Sequence, residues 1–187
     1  MRLLETITTA DRELFAEGTR LFERQLAKRG KPRFHPGRAP ASFICAFDQG
    51  VPGPGWFPPE RAGECWHCWT EQTAWLEFHL QPAPRLAVSV ETHHTLDTAL
   101  YSQLEVWFND RRLDTTVVPS PTSDQTVRIT AIIVSPNVAS APAWNRLTFR
   151  LPRTIRPIDF LPNHPDCRAL GIGISRVTVK PAVSPAT

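Results

Sequence analysis

The residues best suited to chemistry are concentrated between positions 55 and 80, where the chain reads GWFPPERAGECWHCWTEQTAWLEFHL. Cys65, His67 and Cys68 carry thiol and imidazole groups of the kind that bind zinc. A structural zinc site brings two such pairs together, and this segment supplies one pair. On a strand, moreover, Cys65 and His67 face away from Trp66 and Cys68. We therefore predict no metal site and no cofactor. The residues that folding could bring in as a second pair are His79, His93, His94, His164 and Cys167.

A nucleophilic active site requires a Cys or Ser beside a His, with a third group that orients the His. The sequence contains no G-x-S-x-G turn, phosphate loop, H-E-x-x-H helix or dinucleotide fingerprint. His164 and Cys167 are close in sequence, but sequence neighbours are rarely a catalytic pair. We predict a protein without catalytic activity of its own.

Binding of carbohydrate needs different groups, namely exposed aromatic rings for the apolar face of a sugar and planar polar groups for its hydroxyls. Trp75, Glu77 and His79 occupy alternate positions of one strand-like run, and Glu105 and Trp107 do so in another. Alternate residues of a strand share one face. If the two strands are neighbours, these side chains form a polar, aromatic patch.

Tyr101 and Trp144 lie in loop-like contexts, and we predict that both are exposed and belong to the candidate ligand-binding set. A structural alternative remains for the patch. Its face could instead be covered by a helix or by a second sheet.

Composition points to short strands. Proline accounts for 19 of 187 residues, about twice the usual ~5%, and it is excluded from helix interiors and central strands. A chain of this length suits one domain with its own core. The net charge is only +3, and the basic residues are dispersed apart from the run Lys28–Arg38. A nucleic-acid-binding protein would show a denser basic face, so we predict none bound.

The first residues, MRLLETITTADREL, become polar too soon for a signal peptide, and no apolar run approaches the ~20 residues of a membrane span. We therefore expect a cytoplasmic protein with no membrane span. Its four cysteines are then expected to be reduced thiols.

Residues 9–29 predict an amphipathic helix, because their apolar residues recur at helical spacing. Acidic residues lie early and basic residues late, as the helix dipole favours, and Gly30 and Pro32 end the pattern. Its apolar face must be buried against something. The helix could pack on the body of the protein, pair with a second copy in a homo-oligomer, or dock in a partner's groove.

From residue 43 onward the apolar period changes to two, which predicts strands. Asn109 and Asp110 separate two such runs and predict a hairpin turn, because both residues tolerate positive φ. About nine short strands with turns between them are typical of an antiparallel sandwich. The predicted strands are 42–47, 64–69, 74–80, 86–91, 104–108, 113–118, 126–134, 146–151 and 172–179.

The segment from Gly55 to Thr70 resembles the jelly-roll β-sandwich domain attached to many bacterial surface-polysaccharide glycosyltransferases. That family has a G-aromatic-x-x-P-E turn followed by a W-T step and an alternating strand. Later stretches resemble its V-x-V-N-G hairpin, at 104–110, and its D-x-R-x-L-G strand entry, at 166–172. The matching positions are Gly55, Trp56, Pro59, Glu60, Trp69, Thr70, Asp166, Arg168 and Gly171.

The resemblance covers residues 43–180 and implies mainly architectural roles for these positions. Glu60 is expected to accept backbone N–H bonds or to pair with Arg61 or Arg168, which would hold the loop on the sandwich. Two departures are evident. Cys68 stands where the family often has arginine, and Asp110 stands where glycine is usual.

The expected fold is therefore all-β, an antiparallel sandwich of jelly-roll, galactose-binding-like type with an N-terminal helix. The expected organisation is a helical arm at 1–30, a basic linker at 31–42, the sandwich at 43–180 and a disordered tail at 181–187. The resemblance implies a carbohydrate-binding-like accessory module whose partners are a polysaccharide or a glycosyltransferase. The alternative is an interaction module whose helix docks a partner or dimerises, with no sugar ligand.

Overall fold

The computed structural model describes residues 39–48, 50, 53–120, 123–134, 144–161 and 163–182. The predicted helix of residues 9–29 lies outside the described residues, as do most of the linker and most of the tail. Within the described ranges, no helix is long and apolar enough to cross a membrane.

Eleven strands and two short helices form in these ranges. The helices are α1, Ala99–Gln103, and α2, Pro157–Phe160. The strands are β1 Phe43–Cys45, β2 Glu60–Ala62, β3 Cys65–Trp69, β4 Thr73–His79, β5 Arg85–Thr95, β6 Glu105–Phe108, β7 Arg111–Arg112, β8 Thr115–Ser120, β9 Ser123–Val134, β10 Trp144–Arg150 and β11 Ile172–Pro181.

The strands form two antiparallel sheets. The large sheet has the order β2-β3-β11-β5-β9-β8, and β1 pairs with β11 as well. The small sheet has the order β4-β10-β6-β7. Two antiparallel sheets of short strands are what the period-two pattern predicts.

The core is built from the alternate residues of both sheets. Leu76 and Leu147 of the small sheet are completely buried, as are Val90, Ile174 and Val177 of the large sheet. All five belong to one continuous apolar cluster. Removing the apolar side chains of both sheets from water in this way supplies the main stabilisation of the fold.

Each of the nine predicted strands is present, with ends displaced by a few residues. The structure adds β2 and β7, which are too short to carry a detectable alternation. Asn109 and Asp110 have φ of 46° and 65°, as a hairpin turn with two left-handed residues requires. The turn joins β6 to β7, and the chain then crosses to the large sheet as β8. β11 runs to Pro181, one residue past the predicted end of the sandwich.

Candidate functional site

The two strands that carry the predicted aromatic patch lie in the same sheet but are not neighbours. β10 lies between them and pairs with β4 on one side and with β6 on the other. Thr148 of β10 is opposite both Trp75 and Trp107. Because opposite residues project from the same face, Trp75, Thr148 and Trp107 form one row across three strands. By strand spacing, the backbones of the two tryptophans are about 10 Å apart.

Further rows follow at every second residue of β10. Arg146 is opposite Glu77, and Trp144 is opposite His79. In the other direction, Arg150 is opposite both Thr73 and Glu105. We call this surface the tryptophan face. Its members are Thr73, Trp75, Glu77, His79, Glu105, Trp107, Arg112, Trp144, Arg146, Thr148 and Arg150.

Arg146 organises the β4 side of the tryptophan face. Its guanidinium carbon lies 5.3 Å from the ring centroid of Trp75. Its Nη2 and Nε donate to Glu77 Oε1 at 2.6 and 3.1 Å. The guanidinium is therefore oriented by a charged hydrogen bond and an aromatic ring together.

Arg150 and Arg112 occupy the β6 side. Arg150 lies 4.5 Å above the ring centroid of Trp107. Trp107 Nε1 donates to Glu105 Oε2 at 3.1 Å, and Glu105 Oε1 is paired with Arg112 at 3.1 Å. The indole of Trp107 is thus fixed by a hydrogen bond at its edge, with a cation over its ring.

Trp144 forms the open end of the tryptophan face. Its side chain is 66% exposed, the highest value among the large apolar residues described. The ring packs edge to face on His79, with the centroids 4.3 Å apart. Trp144 is therefore the ring most available for stacking on a ligand.

The structure brings together six of the seven predicted ligand-binding residues, and the prediction for Tyr101 is wrong. Tyr101 lies in α1 with only 5% of its surface exposed, packed in the core beside Leu100. Burial also raises the pKa of its phenol. The local sequence reads as a loop because α1 has only five residues, too few to show a helical period.

Sequence reasoning missed Arg146, Thr148 and Arg150. The sequence predicts a strand at 146–151, and the alternate positions of that strand are the signal that could have found them. What the sequence did not reveal is that this strand lies between the other two.

The segment from Gly55 to Thr70, which we call the motif loop, packs against β4 of the tryptophan face. Trp56 Nε1 donates to the carbonyl oxygen of Trp75 at 3.0 Å, and the ring of Trp56 packs on Phe47 and Phe149. Gly55 has φ of +82°, and a Cβ there would lie 2.1 Å from the carbonyl oxygen of Thr73. The loop thus lies against the backbone of β4, where a side chain at position 55 would not fit.

Of the two arginines expected as partners of Glu60, Arg61 and Arg168, it is Arg168 that forms the ion pair. Arg168 Nη1 donates to Glu60 Oε1 at 2.6 Å, and Arg168 Nη2 donates to Asp166 Oδ2 at 2.7 Å. The guanidinium also lies 5.3 Å from the ring centroid of Phe57. Hydrogen bonds from Arg168 lower the pKa of Asp166 to about 2. We call Glu60, Arg168 and Asp166 the arginine clamp. It joins β2 to the segment before β11, and Pro59 immediately precedes β2.

Thr70 joins the other end of the motif to β11. Its carbonyl oxygen accepts from the N–H of Gly171 at 2.8 Å, and its hydroxyl accepts from the N–H of Ile172 at 3.1 Å. A Cβ at Gly171 would lie 2.3 Å from the Thr70 hydroxyl. A side chain at position 171 would therefore have to displace the Thr70 hydroxyl, which accepts the hydrogen bond from Ile172.

The two cysteines and the histidine of β3 are divided between opposite faces, as the alternation predicts. Cys68 is completely buried in the core, and burial raises the pKa of its thiol to about 12. His67 faces the other way, 4.7 Å from the ring of His93 and 6.0 Å from that of Trp69. Core burial also explains why a cysteine suits position 68, since a charged arginine would be costly there.

His67 and His93 belong to an aromatic cluster on the outer side of the large sheet. Irregular pairing of β5 with β11 near Gly173 leaves His93 without an opposite residue. The pKa of His67 is lowered, chiefly by burial and then by His93, and burial lowers the pKa of His93 as well. Among the described residues, no three His, Cys, Asp or Glu side chains are grouped so as to hold a metal ion.

Two depressions of about 520 and 410 Å³ adjoin the same irregular pairing and share Cys65, Glu91 and Ser175. Their principal carboxylate, Glu91, is paired with Arg128 at 3.1 Å and with Arg176 at 3.8 Å. Ser175 donates to the carbonyl oxygen of Glu91 at 3.1 Å. Glu91, its two arginines and Ser175 thus already bind one another in these depressions. On the tryptophan face, by contrast, Arg150 and the exposed ring of Trp144 can contact a ligand, so we place the candidate site there.

Comparison of this chain with family models and with curated proteins found no match.

Proposed function

We propose that this protein is a non-catalytic module that binds a polysaccharide through the tryptophan face and serves bacterial polysaccharide synthesis or modification. The observation that carries the proposal is the arrangement of Trp75, Trp107 and Trp144 on one outward face of the small sheet, interleaved with arginines and glutamates. Rings for stacking and planar groups for hydroxyls are the two requirements for binding sugars.

The form of the surface also favours an extended ligand. The three aromatic residues are held on a sheet whose strands are paired along their length, so the rings are positioned before any ligand arrives. Such preorganisation lowers the entropy lost on binding. A chain of sugars lying across the strands can meet several of these groups at once, whereas a single sugar meets one or two.

Service to a glycosyltransferase is the part of the proposal that depends on the family resemblance. The arginine clamp and the Gly55 to Thr70 loop are organised as a fold signature, which supports the resemblance without identifying a partner. The jelly-roll and galactose-binding-like type of the sandwich is proposed on the same ground.

Titration of the full-length protein with surface-polysaccharide fragments, followed by calorimetry and tryptophan fluorescence, tests the proposal. We expect saturable binding that Trp144→Ala weakens by about tenfold, since stacking on an aromatic ring contributes on the order of 1 kcal/mol. Trp66→Ala is the matched control, because Trp66 is 38% exposed but lies on β3 of the large sheet. Thermal unfolding of both variants verifies that the fold is retained.

Absence of binding up to millimolar sugar would contradict the proposal, as would equal loss in Trp144→Ala and Trp66→Ala. If a co-purifying partner is then lost on deletion of residues 1–30, the interaction-module function replaces it. That deletion removes the whole of the predicted helix, residues 9–29, without touching the tryptophan face.

A further inference from the structure

We infer that the polysaccharide bound by the tryptophan face is anionic, with carboxylate groups on its sugars, and that Arg150 is the residue that recognises the charge. This inference rests on the proposed function, because it names the ligand class of the same face. Three observations support it: the balance of charged residues on the tryptophan face, the position of Arg150, and the difference in exposure among the three indole rings.

The charge balance leaves one cation in excess. The tryptophan face has three arginines, Arg112, Arg146 and Arg150, and two glutamates, Glu77 and Glu105. Arg146 is paired with Glu77, and Arg112 is paired with Glu105. Within the part of the chain that the structure describes, Arg150 has no ion pair. Its charge is therefore available to a ligand.

Arg150 is placed to present that charge. Its side chain is exposed, and its guanidinium carbon lies over the ring of Trp107, 4.5 Å from the ring centroid. A guanidinium stacked on an indole keeps its N–H groups pointing outward in its own plane. Two parallel N–H groups in that plane match the two oxygens of a carboxylate, which makes a bidentate pair possible.

The indole rings are not equally open to sugar stacking. Trp75 and Trp107 each have a guanidinium over the ring, at 5.3 and 4.5 Å, whereas Trp144 is 66% exposed. A neutral sugar would have to displace an arginine to stack on either covered ring. An anionic sugar can instead use the arginine that covers Trp107, while Trp144 stacks on another sugar of the same chain.

The separation of these two contacts sets a minimum ligand size. Trp144 and Arg150 are six residues apart on β10, so they lie about 20 Å apart at the rise of a strand. One sugar cannot reach both. An oligosaccharide can, and the inference therefore predicts that affinity rises steeply with chain length.

Oligogalacturonate and its fully methyl-esterified form are suitable probes, because esterification removes the charge and keeps the sugar backbone. For the full-length protein in calorimetry, we expect binding of the acidic form to be at least about tenfold tighter, as the loss of a charged hydrogen bond implies. Arg150→Gln should abolish that difference by weakening binding of the acidic form. Arg176→Gln is the matched control, since it removes one positive charge from the large sheet and should change neither affinity more than about twofold.

The outcomes separate the inference from the proposed function. Equal affinity for acid and ester overturns the inference and leaves the proposed function standing, as does an equal loss of acid binding in Arg150→Gln and Arg176→Gln. Failure to bind either probe, together with failure to bind any surface-polysaccharide fragment, overturns both. A fluorescence change at Trp107 that is lost in Trp107→Phe gives an independent measure of ligand contact at Arg150.

Discussion

At the scale of single residues, position 55 shows how closely the motif loop packs on β4. The backbone of Gly55 has φ of +82°, and a Cβ would meet both the carbonyl oxygen of Thr73 at 2.1 Å and the Cα of Ala74 at 2.6 Å. Neither contact can be relieved by a side-chain rotation, because both atoms belong to the backbone of a paired strand. Gly63 has a similar φ of +61°, but nothing lies within 4 Å of its missing Cβ.

These two glycines give a matched pair of substitutions. We predict that Gly55→Ala lowers the free energy of unfolding by at least about 3 kcal/mol, since it adds overpacking to backbone strain. Gly63→Ala should cost about 1 to 2 kcal/mol, from the left-handed conformation alone. Urea unfolding of the full-length variants measures both. Equal costs would show that β4 moves aside for a side chain at position 55.

Residue-level prediction was most successful where exposure depends on strand position alone. Trp75, Glu77 and His79 share a face because they are two residues apart, and so do Glu105 and Trp107. The predicted exposure of Tyr101 is wrong because its burial depends on α1, a five-residue helix that is too short to show a helical period in the sequence. That Arg150 has no ion-pair partner among the described residues could not be predicted. It depends on the pairing of Arg112 with Glu105 and of Arg146 with Glu77.

At the scale of elements, the arginine clamp connects parts of the chain that lie far apart. Glu60 at the start of β2 and Arg168 before β11 are 108 residues apart in sequence, and their side chains meet at 2.6 Å. Asp166 completes the clamp and holds the guanidinium from the other side. About a third of the Arg168 and Glu60 side chains is exposed, so solvent screens the pair and limits its contribution to stability.

The lowered pKa of Asp166 predicts how the clamp responds to acid. The pKa is about 2 in the folded protein and near the usual value of about 3.9 when unfolded. The unfolded chain therefore binds more protons between these values, so the stabilisation is complete above about pH 4 and is lost as the pH falls towards 2. We expect Asp166→Asn to cost about 1 kcal/mol at pH 6 after screening, and progressively less below pH 4.

Urea unfolding at pH values from 2 to 6 checks this expectation. Asp159→Asn is a suitable control, because Asp159 forms an i,i+3 pair with the fully exposed Arg156, and solvent screening leaves such a pair little effect on stability. A destabilisation by Asp166→Asn that stays constant from pH 6 to pH 2 would argue against the clamp.

At the scale of the whole molecule, the sandwich is stabilised by the apolar layer between its two sheets. β9 shows the consequence within one strand. Ile129 is 1% exposed and belongs to the core, whereas Ile132, three residues later, is 50% exposed on the outer side of the large sheet. The same amino acid in the same strand is thus in two environments.

We predict that Ile129→Ala lowers the free energy of unfolding by about 2 to 5 kcal/mol, because it removes buried methyl groups and leaves a cavity. Ile132→Ala should cost below about 1 kcal/mol, because much of that side chain is already in water. Chemical unfolding of the full-length variants measures the difference. Similar costs for the two substitutions would mean that β9 is out of register by one residue or that its outer face is covered.

The local pattern of residues is enough to predict the nine longer strands and the direction in which their side chains point. Both properties are local, because successive residues of a strand alternate between its faces whatever the strand is paired with. The nine predicted strands and the opposite orientation of His67 and Cys68 follow from this alternation. The Asn109–Asp110 turn is local in another way, because it depends on the tolerance of these two residues for positive φ.

Which strands are neighbours is visible only in the folded protein. β10 lies between β4 and β6, although about seventy residues separate it from β4 in sequence. Pairing over such distances depends on chain connections and on packing of the whole core, which no local pattern encodes. That placement puts Arg146 over Trp75 and Arg150 over Trp107. The two predicted sets of aromatic and acidic residues therefore lie on a single surface, on which the guanidinium of Arg150 has no ion-pair partner among the described residues.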